Sequence, residues 1–176
     1  MVFYIVHLAY YGTGCVMFPG SNLLQAQMNS TNTTAGGYIE SDMYKNTIPK
    51  CDTAVKGAFG SSRVTAINVY YPNSFKTTTA GEANEWAQYS VYCTLPTECQ
   101  IYGGQIWADN QYEFGYEAHQ LAAFRHNKRF PSNFWLRNVS KYNNYASTFC
   151  HCSSDGRANR ANASDVSGVR PLFNLT

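Results

Sequence analysis

Residues 134–173, FWLRNVSKYNNYASTFCHCSSDGRANRANASDVSGVRPLF, constrain this chain more than any other stretch. The segment opens on the apolar block Phe134-Trp135-Leu136 and closes on Gly168-Val169-Arg170-Pro171-Leu172-Phe173. Between the blocks, Asn, Ser, Ala, Tyr, Asp and Arg dominate, and too few large apolar side chains remain to build a core. A polar run held at both ends by buried strands is a surface presented rigidly for contact. Tyr, Ser, Asn and Arg are also the residues that adaptable binding surfaces favour, Tyr and Arg as anchors.

The rest of the composition narrows the class. A chain of 176 residues suits one domain, here expected over 1–176 with a variable region about 134–173. Against 14% charged residues stand 14 Tyr and 10 Phe, which points to a loop-rich, β-containing fold with wet aromatic surface. Net charge +2 and the lack of a basic run exclude a nucleic-acid partner from the expectation. No apolar run reaches the roughly 18 residues of a membrane span, so no membrane insertion is expected. The start, MVFYIVHLAYYG, has no basic leader region and makes a poor signal peptide.

Several elements are legible. Residues 2–11 and 15–18 flank Gly12-Thr13-Gly14 and read as a β-hairpin. Ser41 is placed to cap a helix that Pro49 should break or kink near its middle and Gly57 or Gly60 should end. Strands are expected over 64–71 and 85–92, a polar loop over 72–82, and a short helix or strand over 99–102. HQLAAFRHNKR, residues 119–129, reads as an amphipathic helix with Leu121, Ala122 and Phe124 inward.

Chemistry-bearing patterns are weak. Cys15, Cys51, Cys93, Cys99, Cys150 and Cys152 form no CxxC pair, and free buried thiols are the expected state. Cys150-His151-Cys152, with His119 or His126, invites a metal site, but alternate strand residues share a face and close a tetrahedron poorly. Asp109, Glu113 and Glu117 could form a carboxylate pair, yet lie in a turn-rich stretch where solvated charges are expected. Glu98 is expected to cap or pair structurally. Calcium ligation by Asp155, Asn159 and Asp165 is the weaker reading beside solvated polar residues. No nucleophile elbow, P-loop, HExxH or dinucleotide fingerprint occurs, so no catalytic residue, cofactor or metal is expected. Of the Asn-x-Ser/Thr sequons at Asn29, Asn32, Asn138, Asn162 and Asn174, none is given weight.

The order AQMNSTNTTAGGYIESDMY, LPTECQIYGG, HQLAAFR, FWLR and GVRPLF resembles a domain common in phage tail proteins of gut and other Gram-positive bacteria. The C-terminal part is similar to the variable region of diversity-generating-retroelement variable proteins. Trp135-Leu136-Arg137, Phe149-Cys150, Gly156-Arg157-Ala158, Ala163-Ser164 and Gly168 to Pro171 carry that likeness. The resemblance implies an α+β, C-type-lectin-like fold: a small antiparallel sheet, two flanking helices and long irregular loops. It also implies a non-enzymatic, hypervariable receptor-binding protein of phage or prophage origin. Its target would be a bacterial surface protein or glycan. Homo-oligomerisation or attachment to other tail proteins belongs to the same picture, in the virion tail or in the bacterial cytoplasm when a prophage expresses it. The alternative is a structural tail or assembly domain whose C-terminal segment packs on a neighbouring subunit.

Randomised side chains are tolerated where they leave the core alone. Trp135, Leu136, Phe149, Val169 and Phe173 are therefore expected inside, with Gly156 and Gly168 allowing tight turns. Lys141 is scaffold in this reading. The ligand-binding candidates are Asn138, Tyr142, Asn143, Asn144, His151, Ser153, Asp155, Arg157, Asn159, Arg160, Asn162, Asp165 and Ser167.

Overall fold

The computed structural model describes residues 1–75, 83–108, 113, 115–141 and 147–176, without the side chains of 73–75 and 83–84. It is a mixed α+β fold, rich in short strands. β1 (Phe3–Leu8) and β2 (Cys15–Pro19) form the expected antiparallel hairpin, with a bulge between Ile5 and His7. β12 (Leu172–Leu175), near the end of the chain, pairs with β2. β12 also pairs with β4 (Val64–Thr65) and β7 (Cys93–Thr94), so the last strand lies inside the first sheet.

The second sheet runs β10-β9-β8-β11-β3. Its members are β3 (Leu24–Ala26), β8 (Phe134–Val139), β9 (Thr148–Cys152), β10 (Ala158–Asn162) and β11 (Ser167–Val169). Only the β8–β11 contact is parallel; the rest pair antiparallel. β5 (Ile67–Phe75) and β6 (Ala83–Val91) form a separate two-stranded hairpin. Pro72, expected in a loop, sits in β5 opposite Trp86; residues 76–82 of that expected loop lie outside the described residues.

Alternate side chains along the strands feed two apolar cores. Met17, Trp135, Val139, Phe149 and Phe173 enter one, with Cys51 and Val55 from the long helix. Val16, Phe18, Phe134, Leu136, Cys150, Cys152 and Leu172 enter the other, with Leu121 and Phe124. Strand β8 is therefore buried along its whole length. Trp135, Leu136, Phe149, Val169 and Phe173 are all inside, as anticipated. Burial of each large side chain contributes on the order of 2 kcal/mol, so this set fixes the backbone on which the polar segment rides.

The helices are shorter than the sequence suggests. α1 (Gly37–Glu40) is followed by a π turn, Met43–Thr47, and then by α2 (Ile48–Phe59). Ser41 does cap: its hydroxyl accepts the Tyr44 amide at 3.1 Å. Pro49, expected to break or kink the helix, stands in the first turn of α2, directly after the point where the π turn gives way to α-helix. Gly60 ends α2. α3 (Glu98–Tyr102) carries a reciprocal cap, Thr97 with Gln100. The amphipathic helix expected over 119–129 is only a 3-10 turn, Ala122–Arg125. Leu121 and Phe124 are buried, but Ala122 is exposed, because one tight turn needs only the i, i+3 pair inward.

All six cysteines are free thiols, five of them buried. Three of the five sequon asparagines, Asn29, Asn138 and Asn174, are buried too. Among the described residues no helix is long and apolar enough to cross a membrane.

Candidate functional site

The site grows from the β9–β10 hairpin. Asn159 pairs with His151, Arg160 with Cys150 and Ala161 with Phe149. Cross-strand partners share a face, so Arg160 stands on the side of Cys150 and Cys152. The turn is closed by the Ser153 amide donating to the Arg157 carbonyl at 2.9 Å and by Gly156 donating to Ser153 at 2.8 Å. Gly156 adopts φ +88, and a Cβ there would meet the Lys128 carbonyl oxygen at 2.6 Å. Only glycine fits, by conformation and by space. Gly168, expected in a turn, lies in β11 between Gln25 and Phe134. Its lack of a side chain admits Asn22, whose amide would lie 2.1 Å from a Cβ.

β10 closes the second sheet as its edge. Asp155, Arg157, Asn159, Asn162 and Asp165 are exposed, and Ser153, Arg160 and Ser167 are partly so. The Arg157–Asp155 ion pair, 3.3 Å between Nε and Oδ2, is solvent-exposed on both sides and so adds little to stability. Asp165 accepts the Asn162 amide at 3.0 Å and fixes the turn after β10. Asn32 accepts the Ser164 amide at 3.1 Å, tying that turn to the loop before α1. Ser147, Thr148, Asn159, Arg160, Ala161, Asn162 and Asp165 line a depression of about 500 Å³. Its walls carry hydroxyls, amides, one cation and one anion, which suits hydrogen-bonded contact.

Beneath the surface lies a support that sequence reading missed. The Arg160 guanidinium stacks on Trp107, 4.4 Å from the ring centre. Trp107 is placed by Glu98, whose carboxylate accepts the amides of Ile106 at 2.7 Å, Trp107 at 2.9 Å and Ala108 at 3.0 Å. Glu98 is fully buried, and burial raises its pKa although the three amides pull the other way. The Glu98 amide in turn donates to Asn138 Oδ1 at 2.8 Å. Asn138 Nδ2 donates to Glu113 at 2.7 Å, and Glu113 pairs with buried Arg137 at 3.1 Å. Arg137 also lies 4.7 Å from the Tyr71 ring centre.

Three expectations are corrected here. Asn138 is 2% exposed and belongs to this buried network, not to the surface. His151 is 6% exposed, edge-on to Trp135, with a pKa lowered by burial. Both stand on strands covered on two faces, where alternation no longer sends polar residues to water. Glu113 and Glu117, expected to be solvated, are buried around Arg137; Asp109 lies outside the described residues. Glu98 performs the structural role anticipated for it. Candidates Tyr142, Asn143 and Asn144 also lie outside the described residues. Lys141, read as scaffold, donates its amide to the Trp107 carbonyl at 2.7 Å. No group of three His, Cys, Asp or Glu side chains able to hold a metal occurs among the described residues.

Sheet, depression and buried support all lie largely within residues 62–176, which match the family described as a domain of unknown function, DUF6273. The chain belongs to that family. Neither the curated proteins nor the solved structures contain a match.

Proposed function

We propose that this chain is a non-enzymatic ligand-binding domain of phage or prophage origin. Its C-terminal segment recognises a protein or glycan on a bacterial surface. In this reading the α+β framework is a C-type-lectin-like fold, and residues of the polar segment are the diversified positions of a retroelement variable protein. The observation that supports it most is the division of labour along residues 147–169. Asp155, Arg157, Asn159, Asn162 and Asp165 face solvent, while Phe149, Cys150, Cys152 and Val169 beneath them are buried. Exposed side chains can then change without cost to the core, and shape and polar complementarity supply recognition. Contacts that are individually weak would be summed by display in several copies.

The test is binding of labelled chain to a panel of bacterial cells. Replacing Arg157, Asn159 and Asn162 together by Ala should abolish binding to any strain that the wild type labels, with thermal unfolding unchanged. Undiminished labelling by the folded triple variant would refute the site.

A second reading has its own observation. Among the described residues β10 is the edge of the second sheet, and an edge strand can accept a strand from a neighbouring subunit. In that case the chain is a structural tail or assembly domain. Co-expression with neighbouring tail proteins would yield a stable complex, which Ala158→Pro, removing an outward-facing N–H of β10, would dissolve.

A further inference from the structure

Two arginines are buried in this fold, and they differ in one respect. Arg137 is compensated by Glu113 at 3.1 Å and lies in the field of Glu117. Arg170, 1% exposed, has no carboxylate partner among the described residues. Its Nε donates to the Pro19 carbonyl at 3.0 Å, and Nη2 donates to the same oxygen. The guanidinium lies among three rings, 4.6 Å from Phe18, 4.6 Å from Phe130 and 5.1 Å from Phe134. Nη1 has no hydrogen-bond partner among the described residues. Nearby Cys152 cannot supply the missing charge, since burial raises its pKa to about 11 and it remains a thiol.

A buried cation without a counter-ion is costly, and aromatic faces offset only part of that cost. Consistent with this, burial lowers the Arg170 pKa to about 10, whereas the carboxylates beside Arg137 raise that residue's. Arg170 also lines a cavity of about 300 Å³, which lies apart from the β9–β10 surface. Tyr4, Phe18, Phe124 and Phe130 supply an apolar, ring-rich wall. Arg129 adds a second cation, and among the described residues no acidic side chain lines the cavity.

We propose that this cavity binds a small carboxylate carried on an aromatic body. The ring lies against Phe124 and Phe130, and the carboxylate sits between Arg129 and Arg170, the two cations of the lining. An aromatic carboxylate matches both halves of the lining at once. Inorganic anions would satisfy the cation but leave the apolar wall unfilled.

The test uses 3-phenylpropionate as probe on the full chain, by calorimetric titration and thermal shift at millimolar concentration. Saturable binding with a raised Tm is expected, with 3-phenylpropionamide roughly tenfold weaker or worse because the charge-assisted bond is lost. Ala123→Trp, at an exposed position on the cavity rim, should fill the space and weaken binding by about tenfold. The Tm of this variant without probe should stay unchanged. Arg170→Gln, where it folds, should lose the preference for acid over amide; where it does not, the amide and Ala123→Trp decide. The proposal is overturned by absence of saturable binding, by equal affinity for acid and amide, or by unchanged affinity in Ala123→Trp.

Discussion

The Asn138 side-chain oxygen accepts the backbone amide of Glu98 at 2.8 Å, across a sequence separation of 40 residues. On its other side the same amide group reaches Glu113 at 2.7 Å, so one buried asparagine joins α3, β8 and Glu113. Asn138→Ala leaves both the Glu98 amide and a Glu113 oxygen without their partner. The expected loss is about 1–3 kcal/mol, a fall in Tm of several degrees for a chain of this size. Differential scanning calorimetry checks it, and a Tm within a degree of wild type would show the network to be dispensable.

The Arg160–Trp107 stack couples the sheet edge to the loop that Glu98 holds. A double-mutant cycle on Arg160→Ala and Trp107→Ala in chemical denaturation should return a coupling of about 0.5–1 kcal/mol, the range for a partly exposed cation–aromatic contact. Strict additivity would mean that the two side chains are neighbours without energetic linkage.

Burial lowers the pKa of His151 from its ordinary value of 6.5. As pH falls, the unfolded chain therefore takes up this proton before the folded chain does. The stability that the neutral ring represents is complete above pH 6.5 and is lost as pH drops through the lowered value. Compared with His151→Gln, the wild type should lose more stability between about pH 7 and about pH 5. Parallel curves for the two proteins would contradict the buried, neutral assignment.

Gly156 should tolerate no replacement. At φ +88, with the Lys128 carbonyl 2.6 Å from a new Cβ, Gly156→Ala is expected to cost about 1–3 kcal/mol. Arg157→Ala next to it should stay within about 0.5 kcal/mol of wild type. Urea melts of the pair test the contrast, which separates the frame of the hairpin from what it carries.

Much of the frame was legible because short-range signals fixed it. β-branched and aromatic runs around Gly12 and Gly14 announce the first hairpin, and Trp135, Phe149 and Phe173 announce the core. Pro49 misled, since proline breaks a helix or starts one according to where the helix begins. That start is obscured by the π turn before it. Leu121 and Phe124 fit a helical stripe and a single 3-10 turn equally well. The exposed candidates Asp155, Arg157 and Asn159 followed from composition, whereas Asn138 and His151 did not. Their burial depends on a second core covering the far side of β8 and β9, and no local pattern encodes that. For the same reason Glu113 and Glu117 could not be matched to Arg137 in advance: the attraction that buries them spans twenty positions of chain or more.

The placement of β12 between β2 and the short strands β4 and β7 also sets a timetable. Leu172 to Leu175 must be synthesised before β2 can gain its second neighbour, so the first sheet stays unzipped until that distant segment arrives. The nascent chain meanwhile carries the apolar faces of β1 and β2 uncovered, and deleting Leu172 to Leu175 would leave β2, β4 and β7 without the strand that joins them.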